Sequence, residues 1–269
     1  MAADEARLEF IELTPQLARE LLANATPNRN YSPLLGVAYA RDVTEDHWTG
    51  GNAETIKVAG DGHMFDGQHR CQAVILADKP LMTWIAWGAD PRNVDMGRPR
   101  TYGDTLAISG QAHARNLAAA INAATLWEKG LRPGLARRYK TTFAEKEKTF
   151  ADHPEILESV RFISSIRRDI PVAPSVLALG HWLFDAIARD DAAQFFVDVA
   201  SGAGLDYGNA ALTLRNRLIS DRLKRRGALD ERDAAALMIM AWNAYHERRP
   251  LTKLQLPNPL TLKNFPEPH

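Results

Sequence analysis

The sequence predicts an α+β protein in which an α/β region comes first and an all-helical region follows. Short runs rich in β-forming residues alternate with helical segments up to about residue 100. From Tyr102 onward, apolar residues recur with helical spacing, and proline and glycine interrupt that spacing where helices are expected to end. We therefore expect three parts: an α/β domain at 1–100, a helical domain at 101–250 and an extended tail at 251–269.

The elements of the first region are expected in the order strand, helix, helix, hairpin, helix, strand. Thr14 before Pro15 is typical of a helix start, because threonine caps a helix and proline is tolerated in its first turn. The glycines of "GDG" favour a hairpin turn, since glycine readily adopts positive φ. These elements are expected at 8–13, 14–23, 33–43, 55–66, 67–77 and 81–88.

The second region predicts helices separated by segments that contain glycine, proline or a capping acid. "KGLRPG" and "RDIPVAP" are two such segments. The final stretch is rich in proline, which predicts an extended tail that is either packed along the surface or frayed. The helices are expected at 102–109, 112–129, 141–150, 154–167, 174–189, 191–200, 208–226 and 230–247.

Charge and cysteine content exclude several classes of protein. The 269 residues include 33 basic and 33 acidic side chains, so no overall field favours nucleic acid or a membrane, and any nucleic-acid contact requires a local patch. A single cysteine excludes an internal disulfide and a multi-cysteine zinc site. The first ten residues lack the features of a signal peptide, and the apolar runs fall short of the about 20 residues of a membrane span. We expect a cytoplasmic protein without a membrane partner and leave its oligomeric state open.

The stretch "DGQHRC", residues 66–71, concentrates polar chemistry between two apolar runs. We expect Asp66 to cap a helix whose first residue is Gly67, directly after a strand. Such a turn directs backbone N–H groups toward open space, where they can bind an anion, and His69 and Arg70 can add charged donors. Ala73 and Ala77 lie one and two turns below Arg70 and would leave room for a ligand. The alternative is a well-capped helix with His69 and Arg70 facing solvent.

The same residues resemble the ParB/sulfiredoxin superfamily. Its helix start, G-x-x-R-x-x-A, is matched by Gly67, Arg70 and Ala73. "TPNRN" at 26–30 is similar to the Pro-Asn-x-Arg box of that fold, although no residue separates its asparagine from its arginine. A group of phage-encoded ParB-like proteins is also similar in having a tryptophan before the hairpin, here Trp48, and a D-x-G-x-x-R-T segment, here 95–101. The resemblance covers about residues 8–104.

The resemblance implies an α/β nucleotide-binding domain that holds ATP or CTP with Mg²⁺. We expect Gly67, Gln68 and Arg70 to bind the phosphates, with Asn28 and Arg29 closing the far side of the pocket. Arg29 could instead form a surface ion pair. Phosphoryl chemistry depends on positioning and charge neutralisation.

Two residues of the motif are candidates for catalysis. Asp66 or His69 would act as general base or orient the nucleophile, although Asp66 could be only the helix cap. Sulfiredoxin has a cysteine where Gln68 stands, and Cys71 lies on the core side of the helix. Reduction of a sulfinic acid is therefore not expected.

Three further basic stretches are candidate binding surfaces. In the loop at 88–104, Arg98 or Arg100 could contact phosphate or a polynucleotide, or the loop could be a solvated linker. The stretch at 132–140 and the helix at 215–226 could contact a nucleic-acid backbone, or they could be solvated faces. The candidate contact residues of the helix are Arg215, Arg222, Arg225 and Arg226.

These observations favour a nucleotide-dependent enzyme that hydrolyses an NTP or transfers a phosphoryl group, in phage or plasmid DNA metabolism or DNA base modification. One alternative is a ParB-like DNA-binding or regulatory module that grips backbone phosphate without turnover. A second alternative is a nuclease, although the sequence lacks an obvious carboxylate cluster for two metal ions. The acceptor and the preferred nucleotide are open.

Overall fold

A computed structural model describes residues 6–25, 32–50, 54–91, 101–136, 138–166, 170–225 and 229–269. The chain forms two compact units. The first comprises Met1–Pro99 with Arg138–Ala144, and the second comprises Arg100–Arg137 with Glu145–His269. The predicted parts at 1–100 and 101–250 assign residues 138–144 to the helical part, whereas this segment packs with the first unit.

The first unit is mixed α/β, and its elements follow the predicted order. Thr14 caps the first helix, because its hydroxyl accepts a hydrogen bond from the Leu17 N–H at 3.2 Å. The elements are β1 (Arg7–Leu13), α1 (Pro15–Ala23), α2 (Pro33–Thr44), β2 (Thr55–Val58), β3 (Met64–Asp66), α3 (Gln68–Ala77) and β4 (Leu81–Trp87).

The four strands form one mixed sheet in the order β1-β4-β2-β3. β4 pairs antiparallel with β1 and parallel with β2, and β2 and β3 form the antiparallel hairpin. α3 packs against α1 and α2. The buried side chains of this unit include Leu13, Ile56, Cys71, Val74 and Ile85. The core thus joins the sheet to α3 and holds the start of that helix beside the end of β3.

The second unit is helical. All eight predicted helices are present among the residues described, with their ends shifted by a few positions. The first two residues of α6, Phe143 and Ala144, are counted with the first unit, and the rest of the helix belongs to the second. The helices are α4 (Tyr102–Ile108), α5 (Ala114–Glu128), α6 (Phe143–Asp152), α7 (Ile156–Ile166), α8 (Pro174–Asp185), α9 (Arg189–Ser201), α10 (Ala210–Arg225) and α11 (Glu231–His246).

Aromatic side chains form the centre of the helical core. Phe184 stacks on Trp242 with ring centroids 4.5 Å apart and planes 4° from parallel, and Phe195 packs edge-on against both rings. The extended tail joins this core through buried Leu254 and Phe265. Of the two arrangements predicted for the tail, packed along the surface or frayed, the structure has the packed one. No helix in the described part of the chain is long and apolar enough to cross a membrane.

Truncating Phe184 tests the aromatic core. We expect Phe184→Ala to lower the free energy of unfolding of the helical unit by about 3–5 kcal/mol, because a buried ring is lost and a cavity remains. Tyr207→Ala is the matched control, since Tyr207 is 89% exposed in the same unit. Urea unfolding followed by circular dichroism measures both variants. Equal losses would contradict the packing described.

Candidate functional site

The "DGQHRC" turn joins β3 to α3 with a different cap from the one predicted. Gly67 occupies the N-cap position in the left-handed region, at φ 109° and ψ 5°, and α3 begins at Gln68. The expectation that Asp66 caps the helix is wrong. Asp66 ends β3 opposite Lys57 of β2, and its Oδ2 accepts a hydrogen bond from Lys57 Nζ at 2.8 Å. This cross-strand ion pair holds the carboxylate at the hairpin.

Gly67 is required by the packing of the turn. A Cβ at this position would lie 2.8 Å from Ile56 Cγ1 of β2, closer than carbon atoms approach, and φ is positive. The first bonds of α3 run from the Arg70 and Cys71 N–H groups to the Gly67 carbonyl, at 3.0 and 3.1 Å. The Gln68 and His69 amides therefore precede the first intrahelical bonds, at the positive end of the helix dipole.

Arg70 connects the first turn of α3 to the start of β2. One guanidinium nitrogen donates to the Thr55 carbonyl at 2.6 Å, and the other donates to Glu54 Oε2 at 2.5 Å. The Arg70 side chain is only 11% exposed, whereas that of Glu54 is 68% exposed. The guanidinium is thus fixed by a backbone contact, while its carboxylate partner lies largely in solvent.

His69 lies among positive charges. Its Nε2 accepts a hydrogen bond from the Ser32 N–H at 3.2 Å. Burial lowers the pKa of His69, the charges of Lys140 and Arg70 lower it further, and Asp66 opposes them. The imidazole is therefore neutral at pH 7. Because Nε2 is the acceptor in this arrangement, the proton of the neutral ring resides on Nδ1.

An aromatic row lies beside the turn and was not predicted from the sequence. The ring of Tyr39 on α2 lies edge-on to the rings of His69 and Trp48, with centroids 6.4 and 5.7 Å away. Burial raises the pKa of the Tyr39 hydroxyl, and Arg70, Glu54 and Asp42 are its charged neighbours. Trp48 was part of the resemblance but had no assigned role. Tyr39 has no local signal, because only the packing of α2 on α3 brings it here.

Lys140 reaches the same turn from a distant part of the chain. The Lys140 carbonyl accepts a hydrogen bond from Arg41 of α2 at 2.6 Å, and that guanidinium lies 4.1 Å from the centre of the Tyr139 ring. The Thr142 hydroxyl in the same segment donates a hydrogen bond to Oδ1 of buried Asp42 at 2.7 Å. These contacts fix the segment 138–144 on α2. The sequence indicated Lys140 only as the last residue of the basic stretch 132–140, a candidate nucleic-acid contact, and nothing near it predicts this association with the α3 turn.

Several predicted site residues lie outside the part of the chain that the structure describes. Asn28 and Arg29, Arg98 and Arg100, and Arg226 lie outside the described residues, as does the side chain of Arg225. Ala73 is buried in the core of the first unit, so the expectation that it leaves room for a ligand below Arg70 is wrong.

The basic helix α10 is divided between internal and exposed side chains. Arg215 donates to the carbonyls of Val199, at 2.9 Å, and Ala200, near the C-terminal end of α9. Arg222 is exposed. The interpretation of these two arginines as nucleic-acid contacts stays a prediction, but the first has an internal role as well.

Metal and thiol chemistry can be assessed for the part of the chain that the structure describes. There, no three His, Cys, Asp or Glu side chains are grouped in a way that could hold a metal ion. Cys71 is buried, and burial raises the pKa of its thiol to about 12. The thiol is therefore protonated at neutral pH.

Comparisons with known proteins returned no matching family, no matching curated protein and no matching solved structure. The interpretation of the site therefore depends on its own geometry and on the motif.

Two glycines of the first unit provide a matched test of the turn. Gly67 and Gly62 both have positive φ, but only at Gly67 would a Cβ meet neighbouring atoms within 4 Å. We expect Gly67→Ala to lower the free energy of unfolding by about 1–3 kcal/mol more than Gly62→Ala does, because it adds overlap with Ile56 to the backbone strain. Chemical denaturation measures both. Indistinguishable losses would show that the Gly67–Ile56 contact is not as close as described.

The pKa of His69 tests the positive surroundings of the turn. The folded pKa lies below the ordinary 6.5, so the stability contributed by neutral His69 is present above pH 6.5 and is lost as the pH falls through the folded pKa. We expect Lys140→Ala to raise this pKa, measured by NMR titration of the ring protons. Lys79→Ala, in an exposed ion pair with Asp46, should leave it unchanged. If Lys140→Ala leaves the pKa of His69 unchanged, the proximity of Lys140 to His69 is contradicted.

Proposed function

We propose that the first unit binds a nucleoside triphosphate at the first turn of α3 and transfers its terminal phosphoryl group to water or to an acceptor. The observation that carries the proposal is the convergence of Arg70, Lys140 and the first amides of α3 beside the Tyr39–Trp48 rings. These are the donors and stacking surfaces that a nucleotide uses.

The phosphate end is supported by the charges around His69. Burial lowers the pKa of that imidazole, Lys140 and Arg70 from different parts of the chain lower it further, and Asp66 opposes them. A phosphate placed there would be attracted by the same cations and by the positive end of the α3 dipole. It would displace the Glu54 carboxylate from Arg70, which keeps its bond to the Thr55 carbonyl.

The base end is supported by the aromatic row. Tyr39 and Trp48 offer faces on which a base could stack, which gives affinity with little base selectivity. The resemblance to the ParB/sulfiredoxin superfamily favours ATP or CTP as the nucleotide. It also favours a ParB/sulfiredoxin-like arrangement of the first unit. Gln68 would contribute its amide to the phosphates, and the nucleotide preference depends on residues around the rings.

The geometry separates the two candidate catalytic residues. His69 Nε2 accepts from Ser32, so a neutral His69 would donate from Nδ1 toward a phosphate oxygen instead of accepting a proton. Asp66 is an acceptor held by Lys57, and we assign it to orienting the attacking hydroxyl or water. Mg²⁺ bound to a nucleotide requires only one or two protein carboxylates, and Asp66 is the one that the motif offers.

A DNA-binding or regulatory module is the second candidate function. It is favoured by the exposed side chains of Arg222 and Lys224 near the end of α10, which a nucleic-acid backbone could contact. A role in phage or plasmid DNA metabolism or base modification accommodates either candidate.

Substitutions at the two ends of one ion pair should change nucleotide affinity in opposite directions. Glu54→Gln removes the carboxylate that competes for Arg70, so we expect ATP or CTP with Mg²⁺ to bind about two- to fivefold more tightly. Arg70→Gln should weaken binding by about tenfold or more. Isothermal titration calorimetry measures both, and the controls are Glu45→Gln, at the C-cap of α2, and Arg19→Gln, on α1.

The reaction is tested by product analysis with ATP and CTP, with and without free nucleosides and DNA. Release of phosphate or a phosphorylated product, lost in Asp66→Asn, supports the enzyme. If no NTP shifts the melting temperature in the presence of Mg²⁺ while DNA is retarded in a salt-dependent way, the enzyme proposal fails and the DNA-binding module stands. If Arg70→Gln leaves nucleotide affinity unchanged, the α3 turn is not the phosphate site.

A further inference from the structure

The helical unit contains a cavity of about 350 Å³ that the proposed function does not use. Its described lining residues belong to the second unit, on α4, α5, α6, α8, α11 and the loop before α6. Its volume lies at the lower end of the range of about 300–1,000 Å³ for small-molecule sites. The cavity is therefore large enough for a compact organic molecule.

The cavity exists because one face of α5 carries small side chains. Residues 118, 119, 122, 123 and 126 recur at helical spacing and line the cavity, and three of them are alanine. The opposite face of α5, with Leu117, Ile121 and Ala124, is buried in the core. α5 thus separates the packed interior from the cavity, whose alanine methyl groups provide an apolar wall.

Among the described residues, two cations line this cavity together with one acid. Arg115 begins the lining face of α5, Lys146 enters from α6, and Glu231 lies at the start of α11. The ammonium of Lys146 lies 5.8 Å from the centre of the Tyr102 ring, which also lines the cavity. The side chains therefore combine a net positive charge with an aromatic and an aliphatic surface.

Burial contributes to the chemistry of Lys146. It lowers the pKa of the ammonium more than the neighbouring Glu145 raises it. Glu145 itself is buried and pairs with Lys129, with Nζ 3.1 Å from Oε1. Lys146 is therefore a partly desolvated cation at the cavity wall, and it would attract an anion bound in the cavity.

We propose that this cavity binds a small organic anion, a phosphate or carboxylate group on a compact apolar body. Lys146 and Arg115 bind the anionic group, and the Tyr102 ring and the alanines of α5 contact the body. The site is separate from the α3 turn, and the proposal does not depend on nucleotide binding there.

The probes are phenyl phosphate, benzoate, inorganic phosphate and phenol, titrated into the full chain by calorimetry. We expect phenyl phosphate or benzoate to bind more tightly than inorganic phosphate, which lacks the body, and than phenol, which lacks the charge at neutral pH. The stronger of the first two decides whether the anionic group is a phosphate or a carboxylate. Failure of both to bind at millimolar concentration would overturn the proposal.

Three variants test the location of the site. Lys146→Gln removes one cation and should weaken binding by about tenfold or more. Ala119→Leu should weaken it by filling the cavity, with both cations kept. Lys148→Gln is the matched control, since Lys148 lies on the same helix, outside the cavity lining, and pairs with Asp152. Thermal melts establish that each variant is folded.

The outcomes separate this site from the α3 turn. The proposal is overturned if both cavity variants bind the preferred probe with unchanged affinity. It is also overturned if Lys148→Gln weakens binding as much as Lys146→Gln does. Lys140→Ala, at the α3 turn, should leave probe affinity unchanged. If it abolishes probe binding, the probe occupies the α3 turn and the cavity assignment is wrong.

Discussion

The backbone of Gly67 lies against the side chain of Ile56, and the candidate site in the first unit depends on this contact. It brings the end of β3 close to β2, so α3 begins beside β2. The same approach places Arg70 within hydrogen-bonding distance of the Thr55 carbonyl. A side chain at residue 67 would separate the turn from β2, and the first turn of α3 would move with it.

The charges of the first unit are arranged around that turn. Arg70 pairs with Glu54 and Lys57 pairs with Asp66, so these two cations near the start of α3 each have an acidic partner. The two acids differ in exposure, since the side chain of Glu54 is 68% exposed and that of Asp66 is 30% exposed. Solvent screening weakens the more exposed pair, so the Arg70–Glu54 pair is held less strongly than the Lys57–Asp66 pair.

The helical unit meets a different physical constraint. Its core is filled by large aromatic rings, with Phe184, Phe195 and Trp242 in mutual contact, whereas α5 carries alanine along the face that lines the cavity. Dense packing excludes water from the core, and the small residues leave space beside it. The partly buried ammonium of Lys146 borders that space, where its charge is less hydrated than at the surface.

Local patterns in the sequence determined the secondary structure. The Thr14–Pro15 helix start, the glycine turn of the hairpin and the helical spacing after Tyr102 depend on interactions between residues close in the chain, and the structure has these elements where they were predicted. The "DGQHRC" motif also indicated the strand-to-helix turn correctly. The cap was mispredicted, because the Lys57–Asp66 ion pair forms across a strand register that local spacing does not encode.

Only the tertiary structure decided which side chains surround the motif. Tyr39 arrives through the packing of α2 on α3, and Lys140 arrives because Arg41 and Asp42 bind a segment about 70 residues beyond the motif. The cavity of the helical unit likewise combines residues of five helices. Contacts between residues close in the chain are determined by local backbone geometry, which the sequence encodes directly. Contacts between distant residues form because one shared core is buried, and the candidate sites of this protein consist of such contacts.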